Sequence, residues 1–228
     1  MSRPTKIVVI GAGFAGLAAV KALRRNPDVD VLMIDRHPYQ LFSPLLYQVA
    51  TGGLPEDDIA YPVRAALPGV SFLRGDVARI QPEKNSLRMA DGTDVSYDHL
   101  VIATGSVGTT FGIPGVEQYA LQMKNIHEAR AIKQRLFGTY EEVQESRLPR
   151  ESLRVVVVGG GPTGVEVAGA VAELQRSLHR EYPAIADYAS ITLVEAGPRL
   201  LSMFKEGSSN HAREELEKLG VEVKLNSA

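Results

Sequence analysis

A glycine-rich turn near the start of the sequence has the spacing that binds the pyrophosphate of a dinucleotide. It contains Gly11, Gly13 and Gly16 in the pattern G-x-G-x-x-G, and an acid, Asp35, ends the next apolar run. The first glycine permits a tight turn, the second lets the backbone approach a pyrophosphate, and the third lets the helix pack closely. A carboxylate at Asp35 can bind a ribose hydroxyl, so the turn predicts a nucleotide site.

The same pattern returns in the second half of the chain. Gly159, Gly161 and Gly164 repeat the glycine spacing, and Glu195 is the matching acid. The interval to this acid is longer than in the first copy, and residues 175–189 predict an extended helix and loop that account for it. Two dinucleotide sites in one chain indicate an electron relay, in which a nicotinamide delivers hydride to a flavin.

Charge at the second site bears on the choice of coenzyme. If Glu195 meets the adenine ribose, a 2'-phosphate would bring negative charge against it. At about 4 Å and an effective dielectric between 20 and 80, the repulsion costs about 1 to 4 kcal/mol. This favours NADH over NADPH. Arg199 argues the other way, since a nearby arginine can accept the phosphate.

Apolar runs place both turns between a buried strand and a helix. β-Branched runs precede each turn, helical spacing follows it, and a further apolar run leads to each acid. The predicted strands are residues 6–10, 29–34, 100–103, 153–158, 191–194 and 221–225, and one predicted helix spans 165–178. The fold class is therefore α/β, with two Rossmann-like doubly wound parallel sheets, the second incomplete. We expect one domain over residues 1–115, and a linker helix with a second domain over 116–228.

The region between the units predicts smaller features. Short extended pieces at residues 70–73, 78–80, 87–89 and 95–97, with a turn at Asp91 and Gly92, predict a small antiparallel inset. A helix is expected to begin near Pro55. Asn125, with Glu128 three residues on, resembles a capping box and predicts the start of a long amphipathic helix.

Composition excludes several classes of function. The 228 residues carry a formal charge of -2 and are 44% hydrophobic, which is typical of a soluble globular protein without a polyanion-binding surface. No cysteine is present, so disulfide scaffolds, thiolate metal sites and redox-active cysteine pairs are excluded. The five histidines form no metal-binding i, i+4 pair. The uncharged residues 7–20 are too few to cross a membrane.

These residues also resemble a known family over the whole chain. The sequence is similar to the two-dinucleotide-binding flavoprotein reductases, and most closely to type II NADH:quinone oxidoreductases. The matching segments are the first glycine turn, FSPLLYQVATG at 42–52, DIAYP at 58–62, GDV at 75–77, ATG at 103–105, and GPTGVEVAG at 161–169. The resemblance implies FAD at the first site and NADH at the second.

The resemblance also implies roles for individual residues. Asp35 would bind the adenosine ribose of FAD, with Arg36 beside it, and Val77 would contact the adenine. Thr104 and Gly105 would lie close to the flavin nucleotide. Pro44 begins a stretch, residues 44–52, that would lie near the isoalloxazine. Glu166 would approach the nicotinamide and modulate hydride transfer. The competing interpretation of Glu166 is a first-turn carboxylate favoured by the helix dipole.

The expected function is an FAD-dependent transfer of two electrons, as hydride, from NADH to FAD and on to a membrane quinone. A flavin that reduces a quinone directly needs no cysteine. Two alternatives remain open: reduction of a ferredoxin- or rubredoxin-type protein, and a truncated, non-catalytic nucleotide-binding module. The family continues beyond residue 228 with a region that attaches to the membrane. We therefore expect this chain alone to be soluble and its parent protein to be peripheral on the cytoplasmic face of the cell membrane, with a homodimer left open.

Overall fold

A computed structural model describes residues 3–110 and 112–227, and this part of the chain contains twelve strands and seven α-helices. The strands are β1 Thr5–Ile10, β2 Val29–Asp35, β3 Tyr39–Leu41, β4 Ala60–Pro62, β5 Ser71–Arg74, β6 Val77–Gln81, β7 Ser86–Met89, β8 Asp94–Ser96, β9 His99–Ile102, β10 Arg154–Val158, β11 Ser190–Val194 and β12 Val221–Lys224. The helices are α1 Phe14–Leu23, α2 Leu46–Ala50, α3 Val63–Ala66, α4 Val116–Tyr119, α5 Ile126–Gln144, α6 Pro162–Glu181 and α7 Glu206–Lys218.

The chain divides into two compact units. Unit 1 consists of Met1–Phe42 with Asp57–Val107, and unit 2 consists of Ser43–Glu56 with Gly108–Ala228. Each unit has its own parallel sheet, as the α/β prediction requires. The segment Ser43–Glu56 leaves unit 1 in sequence but belongs to unit 2 by its contacts.

The sheet of unit 1 is parallel throughout, in the order β5-β2-β1-β9. Alternate side chains of β1 enter two different cores. Val9 packs with α1 and α3 on one face, and Val8 packs with the strands β7 and β8 on the other. Because both faces of the sheet are covered, β1 can be apolar without interruption, which is why its sequence shows no polar alternation.

A three-stranded antiparallel sheet, in the order β6-β7-β8, covers the second face. Its turn lies where Asp91 and Gly92 predict it, and Gly92 N–H donates to the Met89 carbonyl. The antiparallel inset is thus confirmed, with one correction. Residues 70–73 were predicted to belong to it, but β5 instead pairs in parallel with β2. A short apolar run can predict a strand, but it does not show which other strand it will pair with.

Strands β3 and β4 form a two-stranded antiparallel ladder on either side of the segment that leaves unit 1. Phe42 N–H donates to the Ile59 carbonyl at 2.7 Å and extends this ladder by one bond. The helix predicted to begin near Pro55 is wrong, because the structure has only a three-residue 3-10 turn at Glu56–Asp58. Three acids in a row favour a helix N-terminus, but no apolar face follows to stabilise a longer helix.

The sheet of unit 2 is parallel, in the order β10-β11-β12. Its buried face is Val157, Ile191, Leu193 and Val221, which pack against α6 and α7. On the opposite face of β10, Val156 and Val158 are exposed. The structure thus confirms the second Rossmann-like unit predicted from the glycine turn.

Helix α5 begins where its capping sequence predicts. The Asn125 side chain accepts a hydrogen bond from Glu128 N–H at 3.0 Å, while the Glu128 carboxylate accepts from Lys124 N–H instead of Asn125 N–H. The apolar face buries Ile126, Ala129, Tyr140 and Val143. Across residues 3–110 and 112–227, we find no helix long and apolar enough to span a bilayer, and no cluster of residues suited to hold a metal ion.

Candidate functional site

The first glycine turn connects β1 to α1 through a backbone that only glycine tolerates. Gly11 has φ of +103°, and a Cβ at this position would lie 2.2 Å from the Ala103 carbonyl oxygen. A Cβ on Gly16 would lie 1.8 Å from the Gly11 carbonyl oxygen. These two glycines therefore let the helix and the residues after β9 approach the turn closely.

Asp35 fixes this turn from the end of β2. One carboxylate oxygen accepts a hydrogen bond from Ala12 N–H at 2.6 Å, and the other accepts from His37 N–H at 2.7 Å. The sequence predicted only a ribose contact for Asp35, so its role in holding the glycine turn is additional. Each oxygen keeps a lone pair for a further donor, because a carboxylate offers about four acceptor positions.

The second turn repeats the geometry of the first. Gly159 has φ of +104°, and a Cβ on Gly164 would lie 1.8 Å from the Gly159 carbonyl oxygen. Glu195 accepts from Gly160 N–H at 2.5 Å and from Gly197 N–H at 2.6 Å. Both acids therefore hold the amide that follows the first glycine, and the amide two residues beyond themselves.

Both helix N-termini are arranged to receive an anion. Gly13 and Gly161 are the residues that cap α1 and α6, and no described side chain caps either helix or places an acid in its first turn. A Cβ on either glycine would meet no described atom within 4 Å. Unpartnered N–H groups, the positive end of the helix dipole and open space next to the backbone fit a pyrophosphate at each turn.

Asp35, Arg36 and Val77, to which the resemblance assigns the adenosine part of FAD, lie together at one edge of unit 1. Gly75 N–H donates to the Asp35 carbonyl at 2.9 Å, and Arg36 forms an ion pair with Asp76 at 3.1 Å. Val77 begins β6 directly after them. A cavity of about 220 Å³ opens beside this edge, lined by residues 73–76, 89–91 and 93.

The remaining predicted flavin residues are Thr104 and Gly105, which belong to unit 1, and Pro44, which belongs to unit 2. The turn containing Thr104 and Gly105 directly follows Ala103, whose carbonyl is the neighbour of Gly11, so the structure brings this turn to the glycine loop. Pro44 lies in a 3-10 turn, Ser43–Leu45, that belongs to unit 2. The sequence pattern did not signal this division.

Glu166 occupies the second turn of α6, because it is the fifth residue of a helix that begins at Pro162. The alternative interpretation as a first-turn carboxylate is therefore wrong. Its side chain is exposed, yet partial desolvation raises the pKa of Glu166 above its usual value. No hydrogen bond or ion pair to its carboxylate occurs within the described chain. The carboxylate is thus available to a ligand.

Arg199 has a role that its sequence position did not reveal. Its guanidinium donates to the Ser202 carbonyl at 2.5 Å and to the Phe204 carbonyl at 2.9 Å. The loop that it holds is joined to the second glycine turn, since Leu201 N–H donates to the Gly160 carbonyl. Arg199 therefore stabilises a loop beside the site, and two of its donor groups are engaged by the backbone.

Together, the fold and both sites define a protein with two dinucleotide-binding units in one chain. The family model described as pyridine nucleotide-disulphide oxidoreductase matches residues 5–228. The chain belongs to this family, although it has no cysteine with which to form the disulphide of the family name.

Individual relatives agree with the predicted resemblance. The type II NADH:quinone oxidoreductase NdhA of Mycobacterium tuberculosis is 40% identical over 97% of this chain and 49% of its own length. A type II NADH:quinone oxidoreductase of Staphylococcus aureus is 32% identical over 96% of this chain and 56% of its own length. This chain spans about half the length of the curated relatives it matches.

A solved structure confirms the fold. The structure of NDH2 from Plasmodium falciparum in complex with NADH has a TM-score of 0.91 and 28% identity, and it covers 98% of this chain and 48% of its own. The Rossmann-like fold class and the resemblance to type II NADH:quinone oxidoreductases are therefore confirmed.

Proposed function

We propose that the whole protein is an FAD-dependent oxidoreductase that passes two electrons from NADH to a quinone. The observation that carries this proposal is the equivalence of the two glycine turns. In each, a carboxylate holds the turn and the helix N-terminus faces open space. The family match, the relatives named for NADH and quinone, and the NADH-bound neighbour support FAD and NADH as the coenzymes and a quinone as the acceptor.

The residues of unit 1 would hold FAD. The amides at the start of α1 would bind its pyrophosphate, and Asp35 would accept from the adenosine ribose. Arg36 and Val77 lie at the edge proposed for the adenine, and Thr104 and Gly105 lie next to the glycine turn. FAD, when bound, supplies the two-electron chemistry that joins oxidation of NADH to reduction of the quinone.

The residues of unit 2 would hold NADH. The amides of α6 would bind the pyrophosphate, and Glu195 would accept from the adenine ribose. The two backbone contacts of Arg199 support NADH over NADPH, because they hold the guanidinium that would otherwise neutralise a 2'-phosphate. We keep the assignment of residues 1–115 to the FAD half and 116–228 to the NADH half as a proposal.

Glu166 would assist at the nicotinamide. NADH becomes positively charged in its ring as it is oxidised to NAD+, and a nearby carboxylate stabilises that charge. The overall reaction consumes NADH, a proton and a quinone, and it yields NAD+ and the quinol. Attachment to the cytoplasmic face of a membrane and formation of a homodimer are further proposals for the whole protein.

Steady-state turnover with different acceptors tests the choice of acceptor. The FAD-loaded protein is expected to oxidise NADH in the presence of a short-chain quinone. Turnover that requires an iron–sulfur protein of the ferredoxin type would contradict the quinone assignment. NADH binding without bound flavin or turnover would instead identify a nucleotide-binding module.

A further inference from the structure

The segment Ser43–Glu56 is attached to unit 2 by specific side-chain contacts. Helix α2, in its middle, buries Leu46, Val49 and Ala50 and packs against α5 and α6. The segment contains residues 44–52, which the family resemblance implies lie near the isoalloxazine. How the segment is fixed therefore matters to the proposed reaction.

An ion pair closes the segment onto α5. Arg130 of α5 donates from Nε to Glu56 Oε1 at 2.8 Å and from its terminal nitrogen to Glu56 Oε2 at 2.5 Å. This two-pronged arrangement fixes both distance and orientation, which a single contact would not do. Glu56 is the last residue of the segment, so the pair holds it where the chain leaves unit 2.

The segment also lies against α5 at Gly52, four residues before Glu56. Gly52 has φ of +78°, and a Cβ here would lie 3.2 Å from the ring of Phe137 on α5. The side chain of Lys133 would lie 3.6 Å from the same Cβ. The backbone of the segment therefore runs directly against α5. Glycine at position 52 suits the positive φ, and a side chain there would force the ring of Phe137 to shift.

We propose that the Glu56–Arg130 ion pair, with Gly52 seated on Phe137, is a positioning device. It fixes the segment Ser43–Glu56 on α5 and so sets the conformation in which residues 44–52 meet the flavin. This role of Glu56 and Arg130 rests on the proposed function, because it assumes that a flavin lies against the stretch. Neither residue is assigned a chemical step.

Hydrogen exchange of the coenzyme-free chain tests the device itself. Arg130→Gln is expected to speed amide exchange within residues 46–56 by about two- to fivefold, the range set by one partly exposed ion pair. The charge-swapped double variant, Glu56→Arg with Arg130→Glu, is expected to restore only part of the slow exchange, because an arginine at position 56 would also face His127 and Lys133. Arg135→Gln is the matched control, because Arg135 is an exposed arginine on the same helix whose guanidinium has no hydrogen bond or ion pair among the described residues. Unchanged exchange in Arg130→Gln would overturn the proposal.

A glycine comparison provides an independent arm. Gly69 has φ of +82°, but a Cβ there would meet no described atom within 4 Å. Gly52→Ala and Gly69→Ala thus share the backbone strain, and only the first adds a contact with Phe137. Gly52→Ala is expected to speed exchange in residues 46–56 more than Gly69→Ala speeds exchange in the residues around position 69, because only the first variant adds a clash to the backbone strain. Equal behaviour of the two variants would overturn the seating role.

The spectrum of bound FAD tests the link to the flavin. In the FAD-loaded protein, Arg130→Gln is expected to shift the visible absorption band, and the charge-swapped variant is expected to return it in part. Faster exchange with an unchanged spectrum would overturn positioning and leave a purely structural ion pair. If the unaltered protein binds no flavin, the proposed function fails. The exchange data alone then decide whether the ion pair fixes the segment on α5.

Discussion

The two acids that end the second strand of each unit do more than the sequence pattern requires. Asp35 and Glu195 each accept two backbone N–H groups, one from the glycine turn and one from the residue two positions after the acid. Glu195 makes the same two kinds of hydrogen bond as Asp35, although its side chain is longer by one methylene group. A substitution at either position therefore changes the shape of the turn as well as the contact with a ribose.

Two glycines of the second turn are expected to have different roles, Gly161 in NADH binding and Gly164 in the stability of the fold. Gly161→Ala is expected to weaken NADH binding by about tenfold or more, because a methyl group would occupy the open space proposed for the pyrophosphate. Its melting temperature without coenzyme should fall only slightly, because alanine caps α6 less well than glycine, by about 0.5–1 kcal/mol. Gly164→Ala should lower the melting temperature more, with a destabilisation of about 1–3 kcal/mol from overpacking against the Gly159 carbonyl. Calorimetry of binding and thermal unfolding of both variants measure the difference, and a Gly161→Ala variant destabilised as much as Gly164→Ala would contradict it.

Removal of the charge of Glu195 should change the choice of coenzyme. Glu195→Gln is expected to shift the ratio of NADPH to NADH affinity toward NADPH by about fivefold or more, because repulsion at about 4 Å costs about 1 kcal/mol even in bulk water and a changed turn acts on both coenzymes. NADH affinity should fall, since one acceptor oxygen is replaced by a donor. Glu173→Gln on the exposed side of α6 makes the same change in net charge and should alter neither affinity. Binding constants for both coenzymes decide the matter, and an unchanged preference in Glu195→Gln would refute this role.

At the scale of helices and loops, the Glu56–Arg130 pair predicts that the stability of unit 2 depends on pH. The Arg130 guanidinium hydrogen-bonded to Glu56 holds the pKa of that carboxyl below its ordinary 4.5, and Arg130, His127 and Lys133 add favourable charge. Because the folded pKa is the lower one, the pair stabilises the fold above the unfolded pKa. That stability is lost as the pH falls through the folded pKa.

Arg130→Gln should therefore be less stable than the unaltered chain at about pH 7, and the gap should close as the pH falls toward about 3. Urea unfolding at both pH values measures the gap. Arg135→Gln should match the unaltered chain at each pH. A gap that persists undiminished at the acidic pH would exclude ionisation of Glu56 as its source.

The sequence predicted the parallel strands well because their signals are local. The uninterrupted apolar run of β1 and the glycines after it require a buried strand that turns into a helix. The sequence could not show that β5 joins β2, or that Glu56 meets Arg130, because both contacts join residues far apart in the chain. The role of Arg199 was hidden for a different reason: its partners are backbone carbonyls, which carry no residue-type signal.

The whole chain contains two glycine turns with the same geometry, and the proposed reaction requires a coenzyme bound at each of them. Unit 1 and unit 2 each present an open helix N-terminus beside a carboxylate-held turn. Neither turn alone would distinguish an electron-transfer enzyme from a simple nucleotide binder. The duplication, in a family of pyridine nucleotide oxidoreductases, is what favours transfer between two coenzymes.

Anaerobic addition of NADH to the FAD-loaded protein tests this transfer most directly. We expect the yellow flavin absorption to bleach on addition of one equivalent of NADH, and Gly161→Ala to require a much higher NADH concentration for the same bleaching. A flavin that stays oxidised while calorimetry shows NADH bound to the same chain would contradict electron transfer between the two sites.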